Sequence, residues 1–321
     1  RAGPVIVRWG LEELPSVLRE LGVERPFLVA SRRWEELDLP PVAARWEEIP
    51  SHRIEVPEGA DGILAVGGGS AIDTAKAASS ESGLPLVSVP TTYSGSEWTT
   101  SYGIRDPSKR MVGGGGGANL AGIVYDPALT LELPREVTAG TALNALAHSA
   151  EALYHPAKSP ESDRAAHEGA ELINGSLPAV LQDLGAIGPR TTLLKGAARA
   201  GEALGLAGLC LGHAMAQALG GRYGLPHGAM NALCLPAALR FNEPVATEAI
   251  DEFGKSIGAD HAPDRVEELA RLGGFERLRD FGIPEDELDD VAEATAQRAG
   301  AKANPRPASP AEIAELFREI Y

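Results

Sequence analysis

Apolar positions in the first 130 residues fall in short continuous runs bounded by Gly and Pro: RPFLVAS (25–31), GILAVGGGS (62–70), LPLVSVPTT (84–92) and GIVYDP (122–127). Runs of this length without polar alternation predict buried strands. Between the second and third, SAIDTAKAASSES (70–82) has helical character. Strand, turn, helix and strand in that order imply a parallel α/β layer, because parallel neighbours need a crossover connection. From about Pro134 the pattern changes to Ala- and Leu-rich stretches with a period near 3.6, over 137–153, 163–182, 190–220, 228–240, 244–257, 262–273, 285–299 and 309–320. The expected organisation is an α/β domain with a parallel sheet over 1–134 and an all-α domain over 135–321. The low-complexity segment GGGGG at 113–117 reads as a mobile loop.

A chain of 321 residues exceeds the usual size of one hydrophobic core, which agrees with two domains. Aromatic residues make up only 5%, which favours close helix packing over an aromatic-rich binding face. A formal charge of −16 argues against nucleic acid or an anionic membrane as partner. An anionic substrate would then have to meet a local cationic cluster. Cys210 and Cys234 are far apart and lack C-x-x-C spacing, so no disulfide framework or cysteine metal site is indicated, and a reducing compartment is the simpler reading. No apolar run reaches membrane-spanning length and residues 1–10 (RAGPVIVRWG) lack the layout of a signal peptide. The expectation is a cytoplasmic chain.

In ILAVGGGSAIDTAK a strand ends at Val66, and Gly67, Gly68 and Gly69 allow the backbone to turn and approach a ligand closely. Ser70 is placed to cap the following helix, and Asp73 three residues on completes a capping-box pattern. The free N–H groups of such a helix start favour an anion such as a dinucleotide pyrophosphate. The G-x-G-x-x-G fingerprint is absent, so a tight structural turn stands as the alternative. One strand later, VPTTYSGSEWTT (89–100) is crowded with hydroxyls. Adjacent strand ends of a parallel sheet share the crevice where ligands sit, so Thr91, Thr92 and Ser96 are candidate cofactor contacts or else members of a polar capping loop.

TALNALAHSAEALY (141–154) places Asn144 and His148 at i and i+4 on one face of a helix otherwise made largely of Ala and Leu. HAMAQ does the same with His213 and Gln217, and His227 follows a Pro ahead of another helical run. Polar pairs on rigid helices are how helical cores build metal or catalytic sites, while satisfied core histidines are the plainer account. His52, His155, His167 and His261 lack that context and read as surface residues.

Taken together, GGGSAIDTAKA, VPTTYSGSE, YDPALTLELP, LNALAHSAEALYHP, LGGRYGLPHG and NPRP (304–307) resemble the iron-containing alcohol dehydrogenase superfamily over nearly the whole chain, and within it are similar to the maleylacetate reductases. The resemblance implies a dehydroquinate synthase-like fold: an α/β N-terminal dinucleotide-binding domain with a parallel sheet, an all-α C-terminal domain, and NADH or NADPH as hydride donor. In the alcohol dehydrogenases of this family an Asp and three His hold a divalent metal, and the matching positions here are Asn144, His148, His213 and His227. An amide in place of the carboxylate removes both charge and a strong oxygen donor, so metal affinity should fall sharply. Asn at this position is similar to the maleylacetate reductases, which work without a required metal. Gln217 stands where the family usually has a further histidine near the nicotinamide, and it cannot shuttle a proton near neutral pH. Ser31 matches the family's cofactor-discriminating Asp and is followed by Arg32 and Arg33, which implies that NADPH is tolerated or preferred. The region between 31 and 62 is shorter than usual for the family, and Lys109 matches a lysine near the cofactor ribose.

The resemblance thus implies reduction of maleylacetate, a small unsaturated oxo-dicarboxylate, to 3-oxoadipate in aromatic-compound breakdown by a homodimer. His148, His213, His227 and Lys109 are its catalytic candidates, with Arg222 as a carboxylate partner. A metal-dependent alcohol or aldehyde oxidoreductase is the second reading. A dinucleotide-binding protein without catalysis is the third.

Overall fold

The computed structural model describes residues 4–51 and 53–321; His52 lies outside them. The chain divides into two compact units, one of Arg1–Thr92 and Ser96–Thr130, the other of Tyr93–Gly95 and Leu131–Tyr321.

The first unit is built on β1 (Ile6–Trp9), α1 (Leu14–Glu20), β2 (Pro26–Ala30), β3 (Ala44–Trp46), β4 (Gly62–Gly67), α2 (Gly69–Ser82), β5 (Pro85–Pro90), β6 (Tyr102–Arg105), β7 (Met111–Gly115) and β8 (Asn119–Tyr125). A parallel sheet runs in the order β1-β8-β5-β4-β2-β3. Alternate residues of each central strand point to opposite faces. Leu28, Ala30, Leu64, Val66, Val87 and Val89 pack with Leu14, Val17 and Leu18 of α1. Phe27, Val29, Ile63, Ala65 and Leu86 pack with Ile72, Ala75 and Ala78 of α2. Burial on both faces is why these strands appear in the sequence as unbroken apolar runs. The glycine run is not a loop throughout: Gly113, Gly114 and Gly115 belong to β7, which pairs antiparallel with β6.

The second unit consists of α3 (Arg135–Tyr154), α4 (Pro160–Gln182), α5 (Ile187–Leu206), α6 (Leu211–Tyr223), α7 (His227–Ser256), α8 (Ala262–Gly273), α9 (Leu288–Ala296), α10 (Ala299–Ala303) and α11 (Pro310–Glu319). The stretch 190–220, expected as one helix, is two: the chain breaks at Gly208, whose φ of +124° no helix accommodates. The two stretches expected at 228–240 and 244–257 run together as α7, bent at Ala246 (φ −130°) just after Pro244, which has no N–H for the helical ladder. In α3 nearly every residue from Thr138 to Tyr154 is buried, so its polar side chains require partners. Among the described residues no single helix is long and apolar enough to cross a membrane; α5 and α6 pass by length and composition only as a pair bent by 101°.

Candidate active site

The turn after β4 has the form expected for an anion cradle, with a different cap. The residue ahead of α2 is Gly68, not Ser70, and no side chain caps the helix. Ser70 lies inside the first turn, where its carbonyl accepts from Thr74 Oγ1. Gly67 adopts φ +153°, and a Cβ on Gly68 would lie 2.8 Å from Thr92 Cγ2. The backbone is therefore bare where α2 begins and its N–H groups lack a side-chain partner, which fits the pyrophosphate of a dinucleotide. Thr91 donates its N–H to the Gly67 carbonyl at 3.1 Å. Thr92 Oγ1 is buried without a partner and is a hydroxyl left for a ligand.

Asp73 and Ser96 have a different task from the one expected. Asp73 Oδ1 accepts from Ser96 Oγ at 2.5 Å and lies 3.0 Å from Lys76 Nζ, while Oδ2 accepts from the Gly103 N–H. The Lys76 ammonium is buried and also donates to Thr99 Oγ1 and the Ser101 carbonyl. These contacts tie α2 to residues 96–103, so Asp73 does not cap the helix, and its carboxylate and the Ser96 hydroxyl are engaged within the protein. Ser31 directly follows β2 and precedes a short helical turn, Arg32–Trp34. Arg32 Nε lies 2.8 Å from Glu47 Oε2, and the Arg33 guanidinium sits over the Trp34 ring. Lys109 is exposed in the β6–β7 turn with φ +63°, its carbonyl accepting from Arg105.

In the second unit α3, α6 and α7 bring the three histidines together. The rings of His148 and His213 stack at 4.7 Å with 16° between their planes, and His227 lies 5.9 Å from His213. Asn144 Nδ2 donates to the Ser94 carbonyl at 3.0 Å and lies 3.4 Å from His148 Nε2. Two further members went unrecognised in the sequence. Asn231, one turn after His227 on α7, donates to Asn144 Oδ1 at 2.8 Å and faces His227 Nε2 at 3.0 Å. Its i, i+4 spacing from His227 is the signal that marked Asn144 and His148, and applied here it finds Asn231. Glu151 is fully buried; its carboxylate accepts from the Cys210 and His213 N–H groups and from His213 Nδ1. Burial, together with the neighbouring His213 and His227, holds the His148 imidazole well below the usual range of histidine, so it is neutral.

Other expectations fall away from this cluster. Arg222 lies 2.7 Å from Glu287 and 3.5 Å from Asp290, so its charge is engaged within the protein rather than held for a substrate carboxylate. Gln217 is half-buried one turn after His213. His261 is exposed beside Glu243 and Asp264, but His155 and His167 are half-buried, the latter bonded to Ser256 Oγ at 2.7 Å. Cys210 and Cys234 are buried free thiols whose ionisation burial pushes up.

Residues 138–321 match the Fe-containing alcohol dehydrogenase family, C-terminal, and residues 52–120 match iron-containing alcohol dehydrogenase. The chain belongs to the iron-containing alcohol dehydrogenase family. It is similar to maleylacetate reductase of Burkholderia cepacia, 34% identical over 264 residues that cover 82% of this chain and 74% of that protein. Maleylacetate reductase of Pseudomonas knackmussii is 31% identical over 97% of this chain and 93% of its own length. The crystal structure of maleylacetate reductase from Agrobacterium tumefaciens superposes with a TM-score of 0.86 at 28% identity, covering 100% of this chain and 97% of that one.

The name of the family implies iron, and the donor set here does not fit it. A divalent ion needs converging lone pairs, and a hard carboxylate oxygen among the donors strengthens its hold. Asn144 is neutral and its oxygen accepts from Asn231, while the Nε2 atoms of His148 and His227 each face an asparagine N–H. Among the described residues no group of three or more His, Cys, Asp or Glu is arranged to hold a metal ion.

Proposed function

We propose that this member of the family is a nicotinamide-dependent reductase of a small unsaturated oxo-dicarboxylate, reducing maleylacetate to 3-oxoadipate without a required metal. The observation that carries the reading is Asn144, bonded to Ser94 and Asn231 where a metal enzyme needs a carboxylate; likeness to maleylacetate reductases over most of the chain supports it. A bound NADH or NADPH would supply the hydride for the carbon–carbon double bond conjugated with the ketone, so the electron pair would come to rest on the ketone oxygen as an enolate.

The bare start of α2 holds the pyrophosphate through backbone N–H groups, with Thr92 Oγ1 as a further contact. His148 Nδ1 and His213 Nε2 are buried without a partner, and we assign them the substrate. His148, held neutral, donates a hydrogen bond from Nδ1 to the enolate oxygen. His213, its Nδ1–H held by Glu151, takes up a second proton from solvent on Nε2 and passes it to the carbon next to the ketone, returning to the neutral ring as the product is completed. Ser31 lacks the charge that would repel a 2′-phosphate and Arg32 follows it, so NADPH is accepted alongside NADH.

The test follows oxidation of NADPH and NADH with maleylacetate and with a panel of simple aldehydes, with and without chelator, on protein of measured metal content. Maleylacetate turnover that survives metal removal is the expected result. If maleylacetate is inert and an aldehyde turns over only with added metal, the proposal fails.

A further inference from the structure

The Ser94 carbonyl oxygen can only accept a hydrogen bond, and this fixes the amides beyond it. Asn144 must turn its NH2 group toward Ser94, at 3.0 Å, which leaves its Oδ1 facing Asn231. Asn231 in turn must present its NH2, which donates to Asn144 Oδ1 at 2.8 Å and lies 3.2 Å from the His227 carbonyl, another pure acceptor. That same NH2 stands 3.0 Å from His227 Nε2, which therefore presents its lone pair and carries its proton on Nδ1. On the other arm the second N–H of Asn144 faces His148 Nε2 at 3.4 Å and selects the same tautomer there. His213 arrives at it separately, its Nδ1 lying 2.8 Å from Glu151 Oε2.

We propose that Asn231 is a positioning residue: with Asn144 it forms an amide relay from Ser94 that sets the tautomer and ring orientation of His227 and His148, so that hydrogen bonds order the cluster in place of a cation. Asn231 is fully buried on α7; its Oδ1 has no partner, and its NH2 group, costly to bury unless bonded, is committed to this cluster. Its two N–H groups meet only acceptors of this cluster: one donates to Asn144 Oδ1, and the other is shared between His227 Nε2 and the His227 carbonyl. An alanine would fill the helix position but could not reach across to α3. The relay itself needs no substrate, whereas its effect on turnover rests on the reductase function proposed above.

The experiment is long-range proton–nitrogen NMR of the whole chain labelled with 15N-histidine, with signals assigned by single histidine replacements. The expected wild-type spectrum shows His148, His213 and His227 protonated on Nδ1, opposite to the preference of free histidine in water. Asn231→Ala is expected to move His227 toward the Nε2–H form while His213 stays unchanged, and Asn231→Asp, which cannot donate, to do the same. In Asn231→Ala, kcat with maleylacetate should fall by about tenfold or more with KM within about threefold. His227 protonated on Nε2 in the wild type overturns the relay without any variant. A folded variant whose His227 signals do not move, or one in which they move while kcat holds, overturns the positioning role. Should the tautomers behave as expected while maleylacetate is not reduced at all, the relay stands and the substrate assignment falls.

Discussion

Glu151 Oε2 lies 2.8 Å from His213 Nδ1, with both side chains buried to within 1% of full enclosure. The same carboxylate accepts the N–H groups of Cys210 and His213 where α6 begins, so one side chain both orients the imidazole and satisfies the helix start. Glu151→Ala strands three buried donors and should cost about 3 kcal/mol or more of stability, measured by chemical denaturation. Glu151→Gln keeps the shape and one accepting oxygen, so it should fold. Its kcat with maleylacetate should nonetheless fall by at least about tenfold, because a neutral amide no longer favours a charged imidazole ring. Wild-type turnover in the Gln variant would remove His213 from the proton step.

Gly68 decides whether α2 can receive a phosphate. Its φ of −82° and ψ of −171° suit any residue, so Gly68→Ala brings no backbone strain; its methyl would instead sit 2.8 Å from Thr92 Cγ2, in the space above the helix start. NADPH binding, followed by nucleotide fluorescence, should weaken by about tenfold or more, or ~1.4 kcal/mol. The thermal midpoint should change little, since Thr92 can shift to relieve the contact. A large loss of stability with unchanged NADPH affinity would show that the turn is structural only.

The apolar grammar of the chain carried the central strands β2, β4, β5 and β8 well, because residues such as Leu64 and Ile63 are buried on opposite faces of one sheet. It missed β1 and β3, edge strands of four and three residues whose half-buried positions give no continuous run. Polar pairs on Ala-rich helices pointed to Asn144, His148 and His213, which α3 and α6 do bring together. Glu151 escaped because a single carboxylate three residues after His148 looks like a surface charge. The helices packed around α3 bury it, and the start of α6 supplies its donors. Asp73 failed for the opposite reason: its local spacing suited a cap, while Lys76, Ser96 and Gly103 claimed it through tertiary contacts.

Ser31 and Arg32 should set nucleotide choice. The Arg32 side chain is 83% exposed and pairs with Glu47, an ion pair weak enough in water for a 2′-phosphate to compete with it. Ser31→Asp places a carboxylate at the end of β2, where it repels a 2′-phosphate and accepts a ribose hydroxyl. KM for NADPH should rise by about tenfold while that for NADH holds or falls, measured under steady-state conditions with maleylacetate. Equal changes for the two nucleotides would place the 2′ position elsewhere.

Glu97 makes stability depend on pH in a direction that can be checked. It is buried in the first unit; its Oε1 accepts from Tyr125 OH at 2.7 Å, while its Oε2 has no partner. Burial pushes its ionisation above the ordinary value of 4.5, outweighing the hydrogen bond from Tyr125 and the charge of Lys76. Below that ordinary value the carboxyl is protonated in both the folded and the unfolded chain. As pH rises through and beyond it, the unfolded chain releases the proton first, so the folded state loses ground until Glu97 itself ionises. Glu97→Gln mimics the protonated form, keeps an acceptor for Tyr125 and removes this loss. The variant should therefore match the wild type well below pH 4.5 and gain on it as pH rises above that value, until Glu97 ionises in the folded protein, measured by urea unfolding at a series of pH values. A difference that shrinks with rising pH would mean that Glu97 is ionised in the folded protein and held by Lys76.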